Sequence, residues 1–119
     1  MLREETIQRV LKFRDDRDWR QFHNPKDLAI SMNLEAAELL EIFQWSGTDV
    51  ECRDKLDKVR EELADVLSYC ILIADVYGLD LDEIMNAKID RNEAKYLVEL
   101  ARGSAAKYTE LKQQARKDR

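Results

Sequence analysis

Four carboxylates fall into two pairs, Glu35 with Glu38 and Glu62 with Asp65, each spaced i, i+3. That spacing sets both members of a pair on one side of a helix, about a turn apart. The pairs sit among apolar residues. Glu35 belongs to the row Leu28, Met32, Glu35, Leu39, Ile42, and Glu38 lies between Leu34, Ile42 and Trp45. Glu62 borders the stripe Leu56, Val59, Leu63, Val66, Cys70, Ile73, Tyr77. A carboxylate facing a core is costly unless its charge is compensated. Four of them repel one another, so the expected compensator is a divalent cation. Ligands that are all oxygen select a hard ion, magnesium or manganese. Glu-x-x-Glu alone occurs on any charged helix, and two solvated acidic faces are the plain alternative.

Further residue types suit a phosphorylated ligand. Lys88, Asn92 and Lys95 share one helix face, where two cations and an amide can hold phosphate oxygens. Trp19, Phe22 and His23 precede the first acidic pair, Trp45 follows it, and Tyr69 stands one turn past Asp65. Aromatic rings beside a metal and cations suit a nucleotide base, whereas core packing is their plain reading. Di-iron carboxylate bundles would require Glu-x-x-His motifs. The single histidine, His23, lies in no such motif, so that chemistry is disfavoured.

The elements that must position these groups are helices. Charged residues make up 38% of the chain against 3 Gly and 1 Pro, which indicates an all-α protein. A first helix is expected over about 3–17, with Ile7, Val10, Leu11 and Phe13 inward. Asn24-Pro25 is a helix start, and a second helix runs from it to about Trp45. Ser46 to Asp49 form a turn ending in a capping residue. A long third helix is expected from about Val50 to Tyr77, with a seam at 56, 59, 63, 66, 70, 73 and 77. A second row on it, Lys58, Glu62, Asp65, Tyr69, Leu72, Val76, passes from charged to apolar. Gly78 stops this helix, Asp80 caps a fourth over about 81–96, and an extended tail follows. The expected organisation is one domain over 1–111 with a basic, frayed end at 112–119.

The formal net charge of -5 argues against a nucleic-acid face and against an anionic membrane partner. No apolar stretch reaches leader or membrane-spanning length, which suggests a cytoplasmic protein. Cys52 and Cys70 are expected on one long helix, too far apart to bridge, as reduced thiols with Cys70 in the core. A chain of 119 residues is short for a large core, so self-association is expected.

The run Glu35-Ala36-Ala37-Glu38 with Glu62-Leu63-Ala64-Asp65 resembles the metal motif of the MazG-like all-α nucleoside triphosphate pyrophosphohydrolases. RDWRQFHNPKDL (17–28), FQW (43–45), EELADVLSY (61–69) and ARGSAAKYTEL (101–111) are similar to its dCTP pyrophosphatase branch. The similarity reaches to about Leu111. It implies a four-helix-bundle-like subunit that assembles as a homotetramer, a dimer of dimers. It also implies cleavage of a deoxynucleoside triphosphate between the α and β phosphates, clearing unwanted nucleotides from the pool. On the matching positions, Glu35, Glu38, Glu62 and Asp65 would hold magnesium; apart from the resemblance, a carboxylate not fully used by the metal is expected to act as base, and Glu38 is the candidate. Trp19, Trp45 and Tyr69, with His23 beside them, would line the base and sugar pocket. Lys88, Asn92, Lys95 and Tyr96 would face the phosphates, joined by Arg102, Lys107 and Tyr108 from the same or a neighbouring subunit. Two positions depart from the pattern: Val10 stands where animal members have a histidine near the base, and Leu97 where a proline is frequent.

Two other readings compete. One keeps the fold but takes dUTP, a broad range of nucleoside triphosphates or phosphoribosyl-ATP, since the base pocket and not the metal motif decides substrate. The other is a non-catalytic helical interaction module.

Overall fold

Helix α1 (Glu4–Asp16) opens the chain in a computed structural model that describes residues 2–103. Its inward face is not quite the expected one. Ile7, Val10 and Leu11 are half-buried, but Phe13 is 52% exposed and the fully buried side chain is Arg14. Arg14 follows Ile7 and Leu11 on the same helix face, so the buried stripe ends on a charge. That charge is compensated by Asp75, 2.7 Å from Nη1, and by Asp15, 2.9 Å from Nε. Phe13 instead stacks edge-on against Trp19, with ring centroids 5.8 Å apart, and carries the Arg17 guanidinium 3.6 Å from its centroid.

A single 3-10 turn (Arg20–Phe22) leads into helix α2 (Pro25–Glu41). Asn24 caps α2 as its sequence context requires: its side-chain oxygen accepts from the Asp27 amide at 2.9 Å, and proline occupies the first turn. The helix stops at Glu41, four residues earlier than expected. From Ile42 onward the amides bond three residues back, as in Phe43 to Leu40 at 3.0 Å and Ser46 to Phe43 at 3.2 Å. The chain thus tightens into turns before Gly47, whose φ is +61°.

The long third helix also starts later than expected. Asp49 acts as a cap, but of a turn: its Oδ1 accepts from the amides of Glu51 and Cys52 at 3.2 and 3.1 Å. Cys52 then adopts a left-handed conformation with φ +46°. It is 2% exposed, with Sγ 3.7 Å from the Ile42 carbonyl. Cys52 therefore lies ahead of the helix, not on it. Both thiols are free as expected, although Cys70 is half-buried where a core position was expected. A second 3-10 turn (Arg53–Lys55) precedes helix α3 (Leu56–Val76). Gly78, at φ +66°, ends α3, with the Leu79 amide reaching back to the Ala74 carbonyl at 2.8 Å.

α2 and α3 make the most extensive helix pair, and α1 packs against α3. The core lies between them, around Leu28, Ile42, Cys52, Ile71, Leu72 and Ala74. The row on α3 that turns inward is the one passing from Lys58 through Glu62 to Leu72. The alternating seam is less covered, with Leu56 44%, Leu63 46% and Tyr77 61% exposed.

The chain forms two compact units that part between Leu79 and Asp80. The second begins with helix α4 (Leu81–Lys95), capped by Asp80, whose Oδ1 accepts from the Glu83 amide at 3.0 Å. The expected extended tail instead opens with a short helix, α5 (Val98–Ala101). The expected boundary at 112 lies outside the described residues. Among the described residues all regular structure is helical, and no helix is long and apolar enough to cross a membrane.

Candidate metal centre

α2 and α3 bring three of the four acids together. One carboxylate oxygen each from Glu35, Glu62 and Asp65 lie within 4.8 Å of one another. The helical period explains this. Glu35 interrupts the buried row of α2 that runs from Leu28 to Ile42, and Glu62 and Asp65 interrupt the buried row of α3. Packing these rows against each other sets the acids face to face at the wet end of the core.

Glu62 is the most enclosed, at 2% exposed. Its Oε1 accepts from Lys58 Nζ at 2.7 Å. Its Oε2 and the Oε2 of Glu35 are buried without a hydrogen-bond partner. With Glu38 ionised, these two buried carboxylate oxygens lack a donor, which is costly, and both residues converge with Asp65. A hard divalent cation fits this donor set. It would satisfy both orphaned oxygens and supply charge that the one ammonium of Lys58 does not.

The charges shift one another's titration. The Lys58 hydrogen bond, chiefly, holds Glu62 below the usual carboxylate range despite its burial. Burial, and then the negative charges of Glu35 and Glu62, push Asp65 up. Glu38 differs from the other three. It stands at the solvent side of the cluster, not on a buried row as its apolar neighbours suggested: Leu34 and Trp45 beside it are 61% and 88% exposed. Hydrogen bonding of its protonated form to Glu62 and Glu35, reinforced by their negative charge, pushes it up to about 7. A carboxyl that gains and loses a proton near neutral pH thus sits at the mouth of an acidic cluster.

The aromatic residues expected at the base, Trp19, Trp45 and Tyr69, with His23, all belong to the first unit. Trp19 packs on Phe13 at the end of α1 and is 45% exposed. Trp45 closes the turn after α2, and Tyr69 is half-buried on α3, one turn beyond Asp65. His23 is half-buried with Nδ1 enclosed and unpartnered. Burial, and then the nearby Arg14 charge, lower its pKa. Lys88, Asn92, Lys95 and Tyr96 lie on and just after α4, and Arg102 follows α5, all in the second unit. Lys88 and Arg102 are exposed, and the other three are half-buried. Lys107 and Tyr108 lie outside the described residues.

Two charged residues of the first unit, Lys58 and Arg14, carry weight that was not expected of them. The signal for Lys58 was its i, i+4 spacing to Glu62. The signal for Arg14 was its place in the 7, 11, 14 row.

A MazG-like family model matches residues 30–111, which include both acidic pairs. dCTP pyrophosphatase 1 of Mus musculus is 39% identical over 113 residues, spanning 90% of this chain and 66% of that protein's length. The Bos taurus protein of that name is 38% identical over 113 residues, spanning 90% of this chain and 67% of its length. The chain thus spans about two thirds of these relatives. A crystal structure of a pyrophosphatase from Archaeoglobus fulgidus superposes with a TM-score of 0.73 at 42% identity, over 79% of this chain and 91% of that one. The matched span, the two acidic pairs it contains and the helical packing that joins them show that this chain belongs to the MazG-like family, on its dCTP pyrophosphatase side.

Proposed function

We propose that the protein is a metal-dependent nucleoside triphosphate pyrophosphohydrolase that converts dCTP, or a modified dCTP, to the monophosphate and pyrophosphate. The observation that carries this reading is the cluster of Glu35, Glu62 and Asp65, with two buried and unsatisfied carboxylate oxygens, in a chain related to dCTP pyrophosphatases. These three residues, with Glu38 at their open side, would hold magnesium, or manganese in its place. Bound there, the ion would neutralise phosphate charge and acidify water.

The chain's own groups supply the rest. Glu38, ionised once the cation is bound, accepts the proton of the attacking water. The water oxygen bonds to the α-phosphorus, the bond to the bridging oxygen breaks, and the electron pair leaves with pyrophosphate. Lys88, Asn92, Lys95, Tyr96 and Arg102 are assigned to the phosphates, with Lys107 and Tyr108. Trp19, His23, Trp45 and Tyr69 are assigned to the base and sugar. The role is clearance of unwanted nucleotides from the cytoplasmic pool.

A homotetramer belongs to this reading. Ile30, Leu34 and Leu40 on α2 and Leu56, Leu63 and Leu67 on α3 are all more than two-fifths exposed, which a second copy of the chain would cover. Light scattering coupled to size exclusion will give a mass about four times that of the chain, and a monomer rejects the assembly.

A panel of nucleoside triphosphates assayed for pyrophosphate release with magnesium tests the activity. dCTP or a modified dCTP will be hydrolysed fastest. Equal rates on every nucleotide would reject the base preference, and no hydrolysis at all would favour the interaction module. Glu38→Gln will lose most of the activity; parent-like turnover by this variant would remove Glu38 from the mechanism.

A further inference from the structure

Among the described residues, Lys58 is the basic side chain that reaches the buried carboxylate of the cluster. Its Nζ lies 2.7 Å from Glu62 Oε1, and its side chain is 56% exposed against 3% for Glu62. The helix itself does not explain a lysine here. Position 58 falls in the first turn of α3, where the partial positive charge of the helix N-terminus favours acids and disfavours cations. Asp57 beside it is the residue type that this position calls for. A half-exposed lysine can also withdraw its ammonium into water at small cost, keeping its alkyl stem on the surface.

We propose that Lys58 is a stand-in cation: it neutralises Glu62 in the metal-free protein and yields that carboxylate when a divalent ion enters. The proposal rests on the metal reading above. An ammonium and a dication on one carboxylate repel each other. The stronger charge, held also by Glu35 and Asp65, keeps the site, and Lys58 turns outward. Lys58 therefore has two opposed effects. It supports the metal-free fold by pairing a buried charge, and it weakens metal binding by holding a positive charge on the other oxygen of a ligand carboxylate. A residue with a merely structural role would act in one direction only.

The test compares the parent with Lys58→Met, which keeps the stem and loses the charge, and Lys58→Arg, which keeps the charge. Thermal unfolding of the metal-stripped proteins and calorimetric titration with magnesium and with manganese are the readouts. Lys58→Met will lower the metal-free melting temperature by about 2–5 °C. The same variant will bind the ions about three- to tenfold more tightly, the range expected from removing a competing partly exposed pair. Lys58→Arg will stay close to the parent in both. Should Lys58→Met fail to fold, Lys58→Gln repeats the comparison with the charge still removed. Metal binding by the uncharged variant that is equal to or weaker than the parent's overturns the proposal and leaves the metal site standing. A parent that unfolds cooperatively but binds neither ion overturns the metal site itself, and the proposal with it.

Discussion

Metal binding to this protein will release protons, and Glu38 sets how many. In the metal-free cluster Glu38 is pushed up to about 7, first by the hydrogen bonds that its protonated form makes to Glu62 and Glu35, then by their charge. At pH 6 it is about nine-tenths protonated, and at pH 8 about one-tenth. A divalent ion among the carboxylates favours their charged forms, so Glu38 ionises on binding. The expected release is about 0.9 proton per binding event at pH 6 and about 0.1 at pH 8. Calorimetric titration with magnesium in two buffers of different ionisation enthalpy gives the proton count at each pH. The same group fixes a sign for stability. A carboxyl raised in the folded state from 4.5 to about 7 contributes stability that is fully present below pH 4.5 and is lost as the pH rises through 7. Glu62, held low by Lys58, works in the opposite sense: its contribution is present above the usual carboxylate range and is lost on acidification. Metal-free protein will therefore lose stability between about pH 5 and pH 7 on account of Glu38, and saturating magnesium will flatten that slope. Glu38→Gln will remove both effects. A proton count that is the same at pH 6 and pH 8, or that survives in Glu38→Gln, refutes the reasoning.

Three further outcomes follow from the packing. Glu35→Gln removes one of several crowded negative charges, so the metal-free protein will melt no lower than the parent while magnesium ceases to raise its melting temperature; a normal magnesium response would show that Glu35 is no ligand. Arg14→Met strips the compensating cation from Asp75, which is 28% exposed, and will cost about 2–4 kcal/mol in urea unfolding, near the lower end for breaking an enclosed ion pair; a loss under about 0.5 kcal/mol would mean the pair contributes as little as a surface one. Asn24→Ala removes the acceptor for the Asp27 amide and will cost about 1 kcal/mol, read by the same unfolding experiment; an unchanged midpoint would show that solvent replaces the cap.

Features decided within a few residues were legible in the sequence. Asn24 before Pro25, Gly78 after a long apolar period and Asp80 ahead of an acidic turn act where their types place them, because caps and left-handed stops are local. The convergence of Glu35 with Glu62 and Asp65 was legible for a related reason: each interrupts an apolar row, and buried rows of adjacent helices must meet. What the pattern hid was decided across the chain. Arg14 lies on the inward 7, 11, 14 row, but the partner that compensates its buried charge is Asp75, 61 residues away, and no local period names that partner. Phe13 is displaced outward by the same choice. Cys52 looked helical from its neighbours, yet the turn capped by Asp49 bends the chain so that the thiol reaches the Ile42 carbonyl.

The inward row of α3 shows why the site and the core cannot be optimised together. Lys58, Glu62, Asp65, Tyr69, Leu72 and Val76 lie along one line of one helix, and apolar residues throughout would bury more surface and need no partners. The C-terminal half of that line does pack in this way, with Leu72 8% exposed. The N-terminal half instead encloses a carboxylate at 2% exposure and leaves one of its oxygens without a donor. A lysine placed against the helix dipole offsets only part of that burden. Such a local departure from the most stable packing has a physical rationale if an external cation completes it. The half of α3 that looks least suited to a core is therefore the half to which a bound ion would return the most stability. Magnesium should accordingly protect amides around Glu62 and Asp65 from hydrogen exchange more strongly than those around Leu72, which the core already holds.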